Sequence, residues 1–284
     1  LNSILNGQST NYSNNNLIRG SYMSFETIFF EISDGVAWVK LNRPDRLNAI
    51  NDKMLKELSA VLDVVDDNKE IRCLVLTGEG RAFCPGQDLN DRNVSGGQRP
   101  DLGETVGKGY NPFLQRFYNL RVPTIAAVNG VAAGAGANIA LACDIVIAAD
   151  TAKFIQVYSN IGLIPDAGGS FILPRLVGMA RAKELTFSAR PVMADEAVAM
   201  NMIARSVPAE DLITIVKEMA EGFALKPTFG LENIKKALHA SFSNDLDSQL
   251  DLERDLMQKC GFSDDYLEGV TAFLEKRKPN FKGE

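Results

Sequence analysis

Two kinds of hydrophobic pattern follow one another near the start of the chain. Residues 27–32 and 36–41 are rich in β-branched, aromatic and other apolar side chains, and they flank Asp34-Gly35, a pair typical of tight hairpin turns. This pattern predicts two antiparallel strands. Across 54–65 the apolar residues recur every three or four positions, which predicts a helix with one buried face.

Further along, short apolar runs are separated by segments that suit helices. Runs at 73–77, 125–128 and 145–148 predict strands, and the small-residue run at 135–142 predicts a helix. Strand and helix alternate in this way through residue 207. Such alternation indicates an α/β fold of stacked units rather than a β-sandwich or a helical bundle.

The pattern changes after Pro208, where the strands stop. Pro227 and Gly261 break the region that follows into helical segments. The predicted helices cover residues 209–224, 228–242, 248–260 and 264–276. A run of helices after a finished α/β body packs either on that body or on another subunit, and the pattern alone favours neither.

The first 22 residues differ from the rest in composition. They are rich in Asn and Ser, and Arg19 is their single charged residue. We expect segment 1–22 to be disordered or left over from an expression vector, with Met23 as the natural start. The expected organisation is therefore this extension, an α/β body over 23–207 and a helical region over 208–284.

Composition restricts the partners and the chemistry. The net charge is −6 and no basic run is interleaved with aromatic residues, so nucleic acid is not an expected partner. No apolar stretch reaches the length of a membrane span. Cys73 and Cys143 lie in apolar runs without a CxxC pair, which favours buried thiols in a reducing compartment, the cytoplasm. With His239 as the single histidine, no metal site is expected.

Two glycine-rich loops, 82–88 and 129–138, carry the strongest functional signal. Each follows a predicted strand and leads into a segment that can start a helix, where backbone N–H groups point outward and attract negative charge. Neither has the Lys and Ser or Thr of a phosphate-binding loop, so a single oxygen is the better expected ligand. The loops predict either an oxyanion hole built from two segments or ordinary turn glycines.

These loops belong to a larger set of motifs that share one order and spacing. The set comprises Arg43-Pro44 with Asn48-Ala49-Ile50, 82–89, 129–138 with Asp144-Ile145, 162–169 and 268–277. Together the motifs resemble the crotonase (enoyl-CoA hydratase/isomerase) superfamily, from about residue 25 to residue 282. The segments 87–94, 100–103, 110–112 and 249–255 resemble the branch that converts ring-epoxidised phenylacetyl-CoA to its oxepin isomer in phenylacetate degradation.

The resemblance implies both an architecture and a substrate class. The architecture is a spiral of ββα units from about residue 24, with a helical trimerisation region from about 208. The assembly is a homotrimer or a dimer of trimers. The substrate is an acyl-CoA thioester, and no cofactor is implied besides the coenzyme A of that thioester.

The resemblance also assigns the proton chemistry. The backbone N–H groups of Gln87 and Ala135 would hold the thioester carbonyl and stabilise the enolate formed when the neighbouring carbon loses a proton. The two carboxylates of the family's hydratases match Asn138 and Tyr158 here. Neither an amide nor a phenol replaces a carboxylate base at neutral pH, so ordinary hydration is disfavoured.

Asp166 supplies a carboxylate where several isomerases of the family keep theirs. It is either the single catalytic base or a cap of the helix expected to start near Ala167. One carboxylate can remove a proton and return it elsewhere on the substrate, which suits isomerisation. The apolar neighbours Ile161, Leu163 and Ile164 are expected to desolvate it.

Further residues resemble contacts to coenzyme A or to the acyl group. They are Arg43, Ala49, Asp88, Leu89, Asn138, Tyr158, Phe273 and Lys276. Asp88 would also orient its loop, and Tyr158 either lines the acyl pocket or is a core aromatic. Arg43 and Lys276 either meet phosphates or remain solvated charges. Phe273 either packs beside a neighbouring subunit's nucleotide or fills a helix–helix seam.

We therefore expect an acyl-CoA isomerase that rearranges the ring epoxide and shifts 3-enoyl to 2-enoyl double bonds. An enoyl-CoA hydratase with atypical residues is the alternative enzyme, and product analysis separates the two. A catalytically silent CoA-binding or scaffold protein is the contrasting class, against which the acidic charge and Asp166 both count.

Overall fold

The structure is a computed structural model that describes residues 25–89 and 99–284. The predicted extension 1–22 and the motif residues 90–94 lie outside the described residues. The strands are β1 Ile28–Ser33, β2 Val36–Leu41, β3 Cys73–Gly78, β4 Ala82–Cys84, β5 Thr124–Val128, β6 Val131–Ala133, β7 Ile145–Ala149, β8 Lys153–Ile155, β9 Pro191–Met193 and β10 Arg205–Val207. The α-helices are α1 Asp52–Asp67, α2 Leu102–Thr105, α3 Asn111–Tyr118, α4 Gly134–Leu141, α5 Gly169–Val177, α6 Met179–Ser188, α7 Ala194–Ala199, α8 Leu212–Ala224, α9 Thr228–Ala240, α10 Leu246–Gly261 and α11 Asp264–Glu275.

The strands form two sheets that the chain visits in turn. The larger sheet has the order β1-β2-β3-β5-β7-β10, and the smaller has the order β4-β6-β8-β9. Each of β3, β5 and β7 is followed within a few residues by a strand of the smaller sheet, and then by helix. Because the unit strand, strand, helix repeats, the body is a spiral of ββα units, which confirms the predicted α/β class.

The hairpin and the first helix form for the reasons that their patterns indicate. Asp34 and Gly35 both have positive φ, 53° and 76°, as the tight turn between antiparallel β1 and β2 requires. Asn51 caps α1 by accepting a hydrogen bond from the Met54 N–H. The apolar stripe of α1 is buried in the core under the larger sheet.

The smaller sheet was not predicted. Its strands β4, β6 and β8 are three residues long, and the first two lie inside the segments interpreted as loops. In the parallel pair of β4 and β6, Ala82 lies opposite Val131. This pairing brings the two glycine-rich segments side by side.

The helices after residue 208 differ in how much of their surface is buried. The apolar face of α8 is buried, with Val216 and Ala220 fully so, and α8 packs against β2, β3, β5 and β7. By contrast, α11 buries only Asp265 and Ala272. The assignment of 208–284 to oligomerisation stays a prediction. Within the described ranges, no helix is both long and apolar enough to cross a membrane.

Candidate active site

The backbone of Gln87 has an N–H group directed away from its neighbouring segment. The Ile50 N–H donates to the Gly86 carbonyl and the Asp88 N–H donates to the Ile50 carbonyl, both over 2.8 Å. Successive N–H groups of an extended chain point to opposite edges, so the Gln87 N–H faces the other side. No acceptor in residues 25–89 or 99–284 receives a hydrogen bond from it.

The second N–H group lies in the first turn of α4. Ala133 precedes this helix in an extended conformation, and no side chain caps it. The first N–H groups of a helix have no partner within the helix, so that of Ala135 is directed out of the helix end. The partial positive charge of a helix N-terminus adds to its attraction for a developing oxyanion.

Gly86 brings the two donors together. Its φ is 101°, and a Cβ atom there would lie 3.0 Å from the Ala133 oxygen and 3.3 Å from the Ala135 nitrogen. Any side chain would therefore push the two segments apart. Glycine at this position keeps the Gln87 and Ala135 N–H groups adjacent.

Asp166 does not cap a helix. The helix that follows it begins at Gly169, its N-cap is Gly168, and no side chain caps it. The Asp166 carboxylate instead accepts a hydrogen bond from the Tyr158 hydroxyl over 2.6 Å. The helix-cap interpretation is wrong because α5 starts two residues later than the sequence suggests and uses a glycine in the left-handed region.

The surroundings of Asp166 also differ from the expected ones. Ile161 and Ile164 are exposed rather than packed around the carboxylate. The polar hydroxyl of Tyr158 is one of the groups that contact it. Leu163, the third expected neighbour, is half-buried, so the expected apolar enclosure finds no support from Ile161 and Ile164.

Tyr158 joins the carboxylate to the donor region. Its side chain is buried, and a Cβ atom on Gly134 would lie 3.9 Å from its Cζ atom. Burial and then the charge of Asp166 raise the pKa of Tyr158, so the phenol stays protonated and donates. The first turn of α4, the Tyr158 ring and the Asp166 carboxylate thus line one site.

Asn138 is closed off from this site. It is 0% exposed, and its amide is engaged with Tyr158, Gln156 and the Asp166 carbonyl. A Cβ atom on Gly169 would lie 2.2 Å from Asn138 Nδ2, so packing around the amide is tight. The predicted direct contact of Asn138 with substrate therefore has no accessible atom to make it.

The Arg43 side chain is mostly buried and is bonded within the chain, so it is not a solvated charge. Its guanidinium pairs with Asp88 over 2.8 Å and donates to the Ala49 carbonyl over 2.5 Å. This ion pair holds the segment after Gln87 in place, which agrees with the expectation that Asp88 orients its loop. Leu89 is 56% exposed and Ala49 is buried.

Phe273 and Lys276 lie at the exposed end of α11. Lys276 is the C-cap residue with φ 54°, and Phe273 is 81% exposed. Within the described residues, no hydrogen bond, ion pair or ring contact joins either side chain to Gln87, Ala135 or Asp166. The structure of one chain does not bring them together with the site.

Two residues that support the site have no role that could be predicted from the sequence alone. The hydroxyl of the buried Tyr110, at the end of the π-helical turn Val106–Tyr110, donates to Gln87 Oε1 over 2.6 Å. Gln156 donates to Asn138 over 2.9 Å. Tyr110 lies in a motif that carried the resemblance, whereas nothing in the local sequence marks Gln156.

The described residues do not support a cysteine nucleophile or a metal centre at this site. Complete burial raises the pKa of Cys84 to about 12, so its thiol is not poised as a nucleophile. In the described part of the chain, no three His, Cys, Asp or Glu side chains cluster as metal ligands do. A cavity of about 400 Å³ among α4, α5, α8 and α9 is lined by none of the candidate residues.

Comparisons with known proteins agree with this architecture. The enoyl-CoA hydratase/isomerase family model matches residues 31–284. The chain is 50% identical over 259 residues to a 1,2-epoxyphenylacetyl-CoA isomerase from Escherichia coli K12, covering 91% of this chain and 99% of that protein. It is 48% identical to a probable enoyl-CoA hydratase from Rhodobacter capsulatus, covering 92% of this chain and 100% of that protein.

A solved structure is also similar. An enoyl-CoA hydratase from Bacillus anthracis superposes with a TM-score of 0.86 at 33% identity, covering 91% of this chain and 100% of that one. The family match, over residues 31–284, includes strands of both sheets and the C-terminal helices. The chain therefore belongs to the enoyl-CoA hydratase/isomerase family, the crotonase superfamily that its motifs resemble.

Proposed function

We propose that this protein is an isomerase of acyl-CoA thioesters that converts ring-1,2-epoxyphenylacetyl-CoA to its oxepin isomer. It also shifts 3-enoyl-CoA double bonds to the 2-position. The observation that carries the proposal is the Asp166 carboxylate, which is hydrogen-bonded to Tyr158, whose ring lies against the uncapped N-terminus of α4. The identity to an isomerase of that name supports the choice of substrate.

The proposed mechanism needs one base and two donors. The thioester oxygen accepts hydrogen bonds from the N–H groups of Gln87 and Ala135, which stabilise the enolate. Asp166 removes the proton from the carbon next to the carbonyl as the epoxide rearranges to the seven-membered ring. The same carboxyl group returns the proton to a ring carbon, so the product has the mass of the substrate.

Hydration is the alternative reaction, and the names of several relatives include it. A hydratase must hold a water molecule and deprotonate it while it attacks the substrate. The positions that match the hydratase carboxylates are Asn138 and Tyr158, and both are occupied as hydrogen-bond donors. This arrangement supports isomerisation over hydration.

Coenzyme A is proposed to lie across Ala49 and Leu89, with Phe273 and Lys276 supplied by a neighbouring subunit. The exposed apolar side chains of α11 support a homotrimer or a dimer of trimers, because large exposed apolar patches mark interfaces. Four unpaired cysteines are compatible with the cytoplasm.

Point substitutions test the α11 proposal better than truncation does. The chain end packs on the body and on α11: Arg72 of the body donates to the Phe281 carbonyl over 2.6 Å, and Asp265 of α11 accepts from the Lys282 N–H over 2.6 Å. Phe273→Ser should weaken assembly and CoA binding together, measured by light scattering and calorimetry. An unchanged trimer with unchanged CoA affinity would show that α11 only covers its own chain and takes no part in assembly or in CoA binding.

The activity itself is tested with a panel of aryl and aliphatic acyl-CoAs. Chromatography with mass spectrometry separates isomerised products, which keep the substrate mass, from hydrated products, which gain one water. The proposal expects isomers from the ring epoxide and from 3-enoyl-CoA. Hydrated product from 2-enoyl-CoA as the main activity would establish the alternative.

A further inference from the structure

Three buried polar side chains form one hydrogen-bonded chain that ends at Asp166. Gln156 Nε2 donates to Asn138 Oδ1 over 2.9 Å, and Asn138 Nδ2 donates to the Tyr158 hydroxyl over 2.9 Å. That hydroxyl donates to Asp166 Oδ1 over 2.6 Å. Gln156 is 4% exposed, so like Asn138 it can affect a bound substrate only through its neighbours.

A backbone carbonyl fixes the direction of every bond in this chain. Asn138 Nδ2 also donates to the Asp166 carbonyl over 2.8 Å, and a carbonyl oxygen can only accept. The Asn138 nitrogen must therefore face Asp166 and Tyr158, which leaves its oxygen facing Gln156. Gln156 in turn must present its amide nitrogen.

This direction decides where the Tyr158 proton goes. The phenol oxygen accepts from Asn138, so its own proton is directed to the Asp166 carboxylate. A hydrogen bond to one carboxylate oxygen restrains the orientation of the carboxylate. Because the Tyr158 ring lies against the first turn of α4, this bond orients Asp166 relative to the proposed oxyanion donors.

Burial of the Gln156 side chain costs folding free energy, and packing alone does not explain why this residue is there. Its Oε1 atom is buried and has no hydrogen-bond partner within the described ranges. A buried acceptor without a partner is unfavourable, and an apolar residue of the same shape would avoid that cost. The useful part of Gln156 is therefore its Nε2 donor.

We propose that Gln156 and Asn138 are positioning residues for the isomerisation, which hold Tyr158 as a one-way donor to Asp166 and so set the orientation of the base. The proposal deepens the proposed function and rests on it, because it takes Asp166 as the base. Neither residue needs to touch the substrate. Their effect should appear in the rate of proton transfer rather than in CoA binding.

The test is a double-mutant cycle in the full-length protein. Gln156→Met keeps the shape but removes the donor, and Tyr158→Phe removes the last link. Each should lower kcat about 10-fold with little change in KM, as the loss of one orienting hydrogen bond implies. Because both changes break one chain, the double variant should be no slower than Tyr158→Phe alone.

A purely structural role predicts other outcomes. It predicts losses that multiply in the double variant, and that result would overturn the proposal, as would normal kcat in Gln156→Met. Gln249→Met is the matched control, since Gln249 donates to the Ala237 carbonyl between helices and should leave kcat unchanged. If Gln156→Met fails to fold, Asn138→Leu breaks the next link and carries the same prediction.

The catalytic role of Asp166 and the positioning role of Gln156 can be disproved separately. A slow Asp166→Asn variant with a normal Gln156→Met variant would leave the proposed function intact and remove the positioning role. Normal turnover in Asp166→Asn would remove the base itself, and the positioning role with it.

Discussion

At the N-terminus of α4 the chain presents backbone N–H groups, whereas around Asp166 it presents side chains. The first region depends on Gly86, whose missing Cβ lets the segments of Gln87 and Ala135 approach each other. The second depends on a Tyr158 hydroxyl and the amides behind it. The comparison suggests that one region is sensitive to backbone geometry and the other to side-chain identity.

The largest effect is expected in the side-chain region. Asp166→Asn keeps the size of the side chain but removes the base, so kcat should fall by about 10²- to 10⁴-fold. Affinity for a non-reactive acyl-CoA, measured by calorimetry, should hardly change. Asp245→Asn is the matched control, because Asn can cap α10 as Asp245 does. Near-normal turnover in Asp166→Asn would eliminate this residue as the base.

The main-chain region gives the next largest effect. Ala135→Pro deletes the N–H in the first turn of α4, where proline is compatible with a helix, and should lower kcat about 10²- to 10³-fold. Ala135→Ser keeps the N–H and should stay close to normal.

Gln87→Leu sharpens the same comparison. It keeps the N–H group and loses only the bond from Tyr110, so kcat should fall about 2- to 10-fold. A loss in Gln87→Leu as large as that in Ala135→Pro would show that the Gln87 side chain, and not its backbone, takes part.

A substitution at Arg43 tests whether its ion pair with Asp88 stabilises the loop of Gln87 or whether Arg43 contacts a phosphate of coenzyme A. Arg43→Met removes the ion-pair partner that Arg43 provides to the buried Asp88 carboxylate, so the free energy of unfolding should fall by about 3 kcal/mol in a denaturant titration. KM should change equally for acyl-CoA and for the acyl-pantetheine thioester, which lacks the nucleotide. A KM increase confined to the full CoA substrate would restore a phosphate contact for Arg43.

The smallest effect concerns Cys84, which lies beside the first donor. Its pKa of about 12 is raised by burial, so near pH 7.5 almost none of it is thiolate. Iodoacetamide should label the half-buried Cys260 and leave turnover unchanged. Inactivation that parallels alkylation of Cys84, located by peptide mass mapping, would contradict the assignment.

The sequence predicted those elements whose periods extend over several residues. The hairpin, α1 and the main strands of the larger sheet lie within one or two residues of their predicted positions. Strands β4, β6 and β8 were missed because three residues are too few to show a period, and their pairings join segments far apart in the chain.

The partners of individual side chains were harder to predict than the elements. Arg43 was expected to contact phosphate or to remain a solvated charge, because the sequence does not show that Asp88, 45 positions away, pairs with it. Gln156 carries no local signal, since its role depends on Asn138 in another unit of the spiral. Asp166 was identified by resemblance, and only the structure separated it from a helix cap.

Product mass in H₂¹⁸O tests most directly the claim that one carboxylate and two backbone donors perform isomerisation. The account predicts that the ring epoxide and a 3-enoyl-CoA both give products of unchanged mass, because no solvent oxygen enters either product. Deuterium from D₂O, in a parallel run, should enter in part through exchange of the Asp166 proton. Incorporation of ¹⁸O with gain of a whole water, at a rate comparable to isomerisation, would contradict the account and establish a hydratase.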